Sequence, residues 1–161
     1  MMIPSFWTRS GSFQKLRHPR VCEMSIRVAT RFDIPGLQII RSSVTENVLT
    51  SIITEEMIID VMEKYGRIWI YDLEGQSVGF SAADKRTSNI WALFVSPIWE
   101  KRGIGKRLLH EAVQWLWSEG AKTIWLTTDP HTRAEEFYQR QGWTRCGVEP
   151  DGEIRYELMR T

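Results

Sequence analysis

Residues 92–109, ALFVSPIWEKRGIGKRLL, decide the fold. An apolar run ending at Val95 reads as a strand, Pro97 marks a tight turn, and an amphipathic helix opens at Gly103. Ile104, Leu108, Leu109, Ala112, Trp115 and Leu116 fall within about half of the helix circumference at roughly 100° per residue. Lys106, Arg107, His110, Glu111, Gln114 and Ser118 fall mostly on the other half, so one face is built to pack and one to meet water. The helix is expected to end at about Glu119, ahead of Gly120.

The first turn of any helix leaves about four backbone N–H groups without partners, and its dipole places partial positive charge there. Gly103 and Gly105 carry no side chain to keep an anion away from those N–H groups. Lys101, Arg102 and Lys106 add charge where a phosphate would rest. On physical grounds this is a phosphate or diphosphate cradle, although two glycines at a strand-to-helix turn also suit a plain tight connection. The spacing is neither GxxxxGK[ST] nor GxGxxG, which excludes the fingerprints of P-loop and dinucleotide-binding sites. No placement of Asp or Glu indicates a metal, and none is expected.

Outward from this stretch the chain alternates strand-like and helix-like segments without a linker. Ser25 to Ala29 alternates apolar and polar as a first strand. Asp33 is placed to cap a helix with Leu37, Ile40 and Val44 on one face, and Thr54 opens a second carrying Ile58, Val61, Met62 and Tyr65. Arg67–Leu73 and Gln76–Asp84 flank the turn Glu74-Gly75 as a hairpin, and Asn89–Val95 adds a third strand. After the long helix come a short buried strand at Thr123–Thr127 and a helix begun by the capping-box sequence Thr132-Arg133-Ala134-Glu135 and closed by Gly142. Trp143–Gly147 and Glu153–Met159 close the domain. The order β-α-α-β-β-β-α-β-α-β-β defines an α+β fold with a mixed, largely antiparallel central sheet flanked by helices.

A chain of 161 residues is about one domain, large enough to fold on its own core without disulfide or metal staples. With 42% hydrophobic and 25% charged residues, composition excludes a disordered tail, a collagen-like fibre and a disulfide-dense scaffold. Net charge is +1 and no long single-sign block occurs, so neither nucleic acid nor a membrane surface is an expected partner. No stretch approaches the ~20 apolar residues of a membrane span. Cys22 and Cys146 have no metal-ligand spacing and read as small hydrophobes of a reducing, cytoplasmic compartment. Residues 1–23 differ from the rest: Arg9, Lys15, Arg17 and Arg20 stand there against Glu23 alone, with no apolar core of a secretory signal. They are expected to be a non-core extension, with the domain proper over residues 24–161. Met24, directly before the first strand, is a plausible alternative translation start.

LFVSPIWEKRGIGKRLL resembles the acyl-CoA signature of the GNAT superfamily of N-acetyltransferases, and Ala134-Glu-Glu-Phe137-Tyr138-Gln-Arg-Gln-Gly142-Trp143 is similar to that family's A-x-x-F-Y-x-x-x-G-F/W element. The element order from Met24 to Met159 fits as well. The resemblance implies a GNAT-like fold and an N-acetyltransferase that moves acetyl from acetyl-CoA to a primary amine of a small molecule or peptide. Transfer would be direct, within a ternary complex. It places Lys101, Arg102, Gly103, Ile104, Gly105 and Lys106 around the coenzyme diphosphate. Phe94 and Val95 would lie at a splayed strand that takes the pantetheine arm, with the Val95 N–H donating to the acetyl carbonyl oxygen. Homodimers being frequent in the family, self-association is left open.

Two residues depart from the pattern. Glu100 stands where Gln or Arg is usual, and is expected to turn aside or pair with a neighbouring base. His131 stands where many relatives carry a coenzyme-contacting Asn; one imidazole hydrogen bond would preserve the contact, and a surface residue near a helix cap is the plainer alternative.

Tyr138 is the candidate acid for the leaving group, since a phenol of pKa about 10 can share a proton with a thiolate whose conjugate acid lies near 8.5. The base is less defined. An alkylammonium of pKa about 10 leaves only about one amine in a thousand neutral at pH 7. Yet Asn89–Val95 contains no carboxylate. Glu46, Asp84 and Glu153 are the candidates, and Glu153 is carried forward. The missing strand carboxylate and Glu100 keep open an alternative, a non-catalytic acyl-CoA-binding sensor. Trp69, Trp91, Trp99 and Trp125 are candidates to line an apolar acceptor pocket.

Overall fold

The computed structural model describes residues 23–45 and 53–161. Its strands are β1 (Met24–Val28), β2 (Gly66–Leu73), β3 (Gln76–Asp84), β4 (Asn89–Val95), β5 (Thr123–Thr128), β6 (Thr144–Val148) and β7 (Ile154–Met159). Its helices are α1 (Ile34–Ser43), α2 (Glu55–Asp60), α3 (Ile104–Ser118) and α4 (Arg133–Arg140). The strands form one sheet in the order β1-β2-β3-β4-β5-β7-β6. Neighbours run antiparallel except β4 and β5, which are parallel. The α+β fold with a largely antiparallel sheet expected from the sequence is the fold found.

Side chains alternate across a strand, so each face of the sheet needs its own cover. On one face α3 buries Leu108, Ala112 and Leu116 completely against Val78, Ile124 and Tyr156. On the other, Leu37 and Ile40 of α1 and Ile58 of α2 pack on Ile68, Ile70, Phe80 and Ala92. A buried Leu or Ile stabilises by about 1.5–3 kcal/mol, so these two layers carry the domain.

Local expectations were met unevenly. Thr54 caps α2, its hydroxyl oxygen accepting from the Met57 N–H at 3.3 Å. The expected helix through Tyr65 is α-helical only to Asp60 and then widens into a π turn over Val61–Tyr65. Asp33 does not cap α1. A short 3₁₀ turn at Arg31–Asp33 precedes that helix, and the Asp33 carboxylate turns back to accept from the Thr30 N–H (2.7 Å) and from Arg27 (2.8 and 2.9 Å). The Arg27 guanidinium holds the Asp33 carboxyl at about 2, below the usual carboxylate range. The capping box expected at Thr132 is absent as well, because the Thr132 hydroxyl donates to the Asp129 carbonyl at 2.9 Å.

The sheet's decisive irregularity is a bulge. Ala82 pairs with Ala92 but Ala83 pairs with Ile90, leaving Trp91 as an extra residue on β4. A bulge bends its strand and increases local twist. Here it follows the single register pair between β4 and β5, Asn89 with Trp125. Beyond that pair, toward their carboxyl ends, the two strands have no further register partners.

Candidate active site

The direction of the free amides on β4 follows from its ladder with β3. The Ser96 N–H bonds to the Val78 carbonyl at 2.8 Å, in register with Gly79 opposite Val95. Bonded and non-bonded pairs alternate along an antiparallel ladder. Leu93 and Val95 therefore turn their N–H and C=O groups away from β3, into the gap where β5 has diverged. An extended ligand can pair with them as an added strand would.

A cleft of about 690 Å³ opens from this gap. Its walls are Leu93, Phe94 and Val95 of β4, the turn and first residues of α3, and one side of α4. Gly103 is the N-cap of α3 in the left-handed region, φ 77° and ψ 8°, and Lys101 is left-handed too at φ 60°. Among the described residues no side chain caps the start of α3, which leaves its leading amides to a ligand. A Cβ added at Gly105 would lie 3.7 Å from both Phe137 Cζ and Val95 Cγ2, which places the bare second glycine between β4 and α4.

Of the residues expected from the sequence, Phe94, Val95, Lys101, Gly103, Ile104, Gly105, Lys106 and Tyr138 share this cleft. Arg102, His131 and Glu153 are not among its lining. The Arg102 guanidinium is stacked on the Trp99 ring, 4.8 Å from its centroid. His131 is exposed, with φ 62°, in the turn before α4. Glu100 pairs with Arg133 at 2.9 Å, as expected of a carboxylate in that position. Lys101 and Lys106 face no carboxylate at ion-pair distance among the described residues.

Tyr138 is buried, in edge contact with Phe137 and Trp143 at 5.3 and 5.9 Å between ring centroids. Burial raises its phenol above the ordinary value, so the group holds its proton throughout the neutral range and can act as a donor. Glu153 immediately precedes β7, beside the carboxyl end of β5. Leu126 and Ile154 pack on the α3 side of the sheet, so by alternation their neighbours Thr127 and Glu153 lie on the α1 side. The Thr127 hydroxyl donates to the Glu153 carboxylate, and the Glu153 N–H donates to Asp151 at 3.0 Å.

Asp84 lies at the other end of the β3–β4 ladder, opposite Asn89, with its carboxylate held by Arg86 at 2.7 Å. Glu46 lies outside the described residues, as does the extension through Cys22. The four tryptophans do not converge on one pocket. Trp69 packs edge-on to Trp115, Trp91 borders a small cavity under α1 and α2, and Trp99 lines the cleft. Trp125 is covered by Arg155 at 4.3 Å. Arg133, Glu136 and Arg140 of α4 and Gln141 just after it line the cleft without having been singled out as site residues in the sequence. Gln141 stands three after Tyr138, so helical spacing from that tyrosine would have found it.

A mixed sheet parted at one parallel pair, with a helix's open amides at the fork, has the shape and donors to suit an extended anionic ligand. The chain belongs to the acetyltransferase (GNAT) family, whose model matches residues 39–143. It is similar in fold to the PaiA N-acetyltransferase of Thermoplasma acidophilum, solved in complex with coenzyme A, at 14% identity and a TM-score of 0.74 over 86% of this chain and 99% of that one. The ribosomal-protein-S18-alanine N-acetyltransferase of Escherichia coli superposes with a TM-score of 0.69 at 17% identity, over 85% of this chain and 94% of that one. In sequence, a ycf52-like uncharacterized N-acetyltransferase of Prochlorococcus marinus is 34% identical over 65 residues. That match spans 40% of this chain and about a third (33%) of the relative.

Proposed function

We propose that this protein transfers acetyl from acetyl-CoA directly to a primary amine of a small molecule or peptide. The observation that carries the reading is the fork itself: Leu93 and Val95 turn backbone groups into a gap that ends at the uncapped amides of α3. That gap suits an arm hydrogen-bonding like a strand, and the amides with Lys101 and Lys106 suit its diphosphate. Coenzyme A in the PaiA structure supports the choice of ligand. A peptide N-terminus as acceptor is supported by the ribosomal-protein acetyltransferase among the structural relatives.

In this reading Gly103, Ile104, Gly105 and Lys106 hold the diphosphate and the Val95 N–H faces the acetyl carbonyl oxygen, where negative charge grows as nitrogen adds. The incoming ammonium gives up two protons. One passes through Glu153 to solvent; the other replaces the proton that Tyr138 gives to the departing sulfur. The carbon–nitrogen bond forms, the carbon–sulfur bond breaks, and no acyl-enzyme is needed. Tyr138 on the α3–α4 side and Glu153 on the α1 side would serve the two protons from opposite faces of the sheet.

A non-catalytic acyl-CoA-binding module is the second reading, and one observation favours it. Among the described residues, the carboxylates that line the cleft, Glu100 and Glu136, are both ion-paired with arginines. Free-thiol release from acetyl-CoA across a panel of amines and peptides separates the two. Amine-dependent release is expected. Binding of acetyl-CoA without release on any amine favours the module, and absence of both removes the coenzyme reading.

A further inference from the structure

The charges in the cleft are unequally engaged. Lys101, Lys106, Arg133 and Arg140 line it together with Glu100 and Glu136. Glu136 and Arg140 pair along α4 one turn apart, at 3.1 Å, within a single wall. Glu100 and Arg133 pair across the cleft, from the turn ahead of α3 to the first residue of α4, through contacts of 2.9 and 3.4 Å. Two contacts from one guanidinium fix its plane as well as its position. The Arg133 side chain is 61% exposed and that of Glu100 26%, so water screens the pair and its hold is weak.

A carboxylate is an unexpected wall for a cavity otherwise furnished with amide donors and lysines. It opposes any anion that enters, and it engages one of the cations in the cleft wall. A phosphate offers more charge and more acceptor oxygens than a carboxylate, so it competes well for the same fork.

We infer that Glu100 stands in for a ligand phosphate: it holds Arg133 across the cleft and yields it to a phosphate of the incoming coenzyme. Arg133 is then a cosubstrate-binding residue delivered by exchange, and Glu100 is a positioning residue that lowers affinity and speeds release. The inference rests on the coenzyme reading above.

Calorimetric titration of the full chain with coenzyme A and with 3′-dephospho-coenzyme A tests it, using the wild type, Glu100→Gln, Arg133→Met and the double variant. Glu100→Gln should tighten coenzyme A about three- to fivefold, and Arg133→Met should loosen it by a similar factor, as exposed charge pairs allow. In the Arg133→Met background, Glu100→Gln should change affinity less than about twofold, because its effect passes through the arginine. Loss of the Arg133→Met effect with 3′-dephospho-coenzyme A assigns the exchange to the 3′-phosphate; persistence assigns it to the diphosphate. Glu63→Gln breaks a remote pair with Arg31 and should leave affinity unchanged.

An unchanged or weaker Glu100→Gln overturns the inference. So does an equal effect in the Arg133→Met background, or equal tightening by Glu63→Gln, which would reduce it to net charge. A wild type that binds no coenzyme A fails the acetyltransferase reading itself, and the inference falls with it.

Discussion

Replacing Gly103 by alanine isolates the backbone conformation on which the cradle is built. Gly103 sits at φ 77° and ψ 8°, where an L side chain is disfavoured by about 1–2 kcal/mol. A Cβ there would meet nothing within 4 Å, so no collision adds to that cost. For a domain of this size each kcal/mol lowers the melting temperature by about 2–4 °C, giving an expected fall of roughly 2–8 °C. Gly103→Asn separates dihedral strain from other causes. Asparagine tolerates the left-handed region and is a good N-cap, so it should lose less than about half as much as alanine. Differential scanning calorimetry of the three proteins at one pH reads the order directly, and coenzyme affinity should weaken in the same order. An alanine variant as stable as the wild type, or an asparagine variant as damaged as alanine, would refute the assignment of strain to this turn.

Tyr138→Phe should lower turnover by about 10²-fold or more while coenzyme affinity stays within about twofold, since a positioned acid contributes 10²–10⁴; equal turnover removes its acid role. Because burial raises the Tyr138 phenol, its contribution to stability is complete below the ordinary tyrosine value near 10 and is lost as pH rises above it. Thermal melts from pH 8 to 11 should therefore fall more steeply for the wild type than for Tyr138→Phe. Asp33, held at about 2, has the opposite sign: its stabilisation is present above the ordinary carboxylate value near 4 and fades as pH falls toward 2. Asp33→Asn should cost roughly 1–2 kcal/mol in urea unfolding at pH 7, with the difference closing in acid. Glu153→Gln should cut turnover at least about tenfold at neutral pH with coenzyme affinity intact, and unaltered turnover there would remove it as the base.

The layers of this fold were legible because each packed face leaves its period in the sequence. Leu108, Ala112 and Leu116 recur at helical spacing and are all fully buried. Glu74-Gly75 marks the β2–β3 turn, and Gly103 and Gly105 mark the opening of α3. The bulge at Trp91 left no such mark, since it is a mismatch of register between two strands and not a property of either alone. Glu100 was expected to turn aside or to find a base, but that the base is Arg133, 33 positions away, left no mark in the sequence. Thr132 misled for a local reason: its hydroxyl had a carbonyl three residues back within reach, and took it instead of capping α4. Arg102 was expected in the cradle by charge and by resemblance, and its stacking on the ring of Trp99 three residues earlier is a tertiary detail that neither signal carried.

A crystal structure of the complex with coenzyme A measures the central claim most directly. The diphosphate oxygens should lie within hydrogen-bond distance of the N–H groups over residues 103–106, with the pantetheine arm bonded to the main chain of Leu93 and Val95. A coenzyme seated away from the fork, with those amides turned to water, would contradict it.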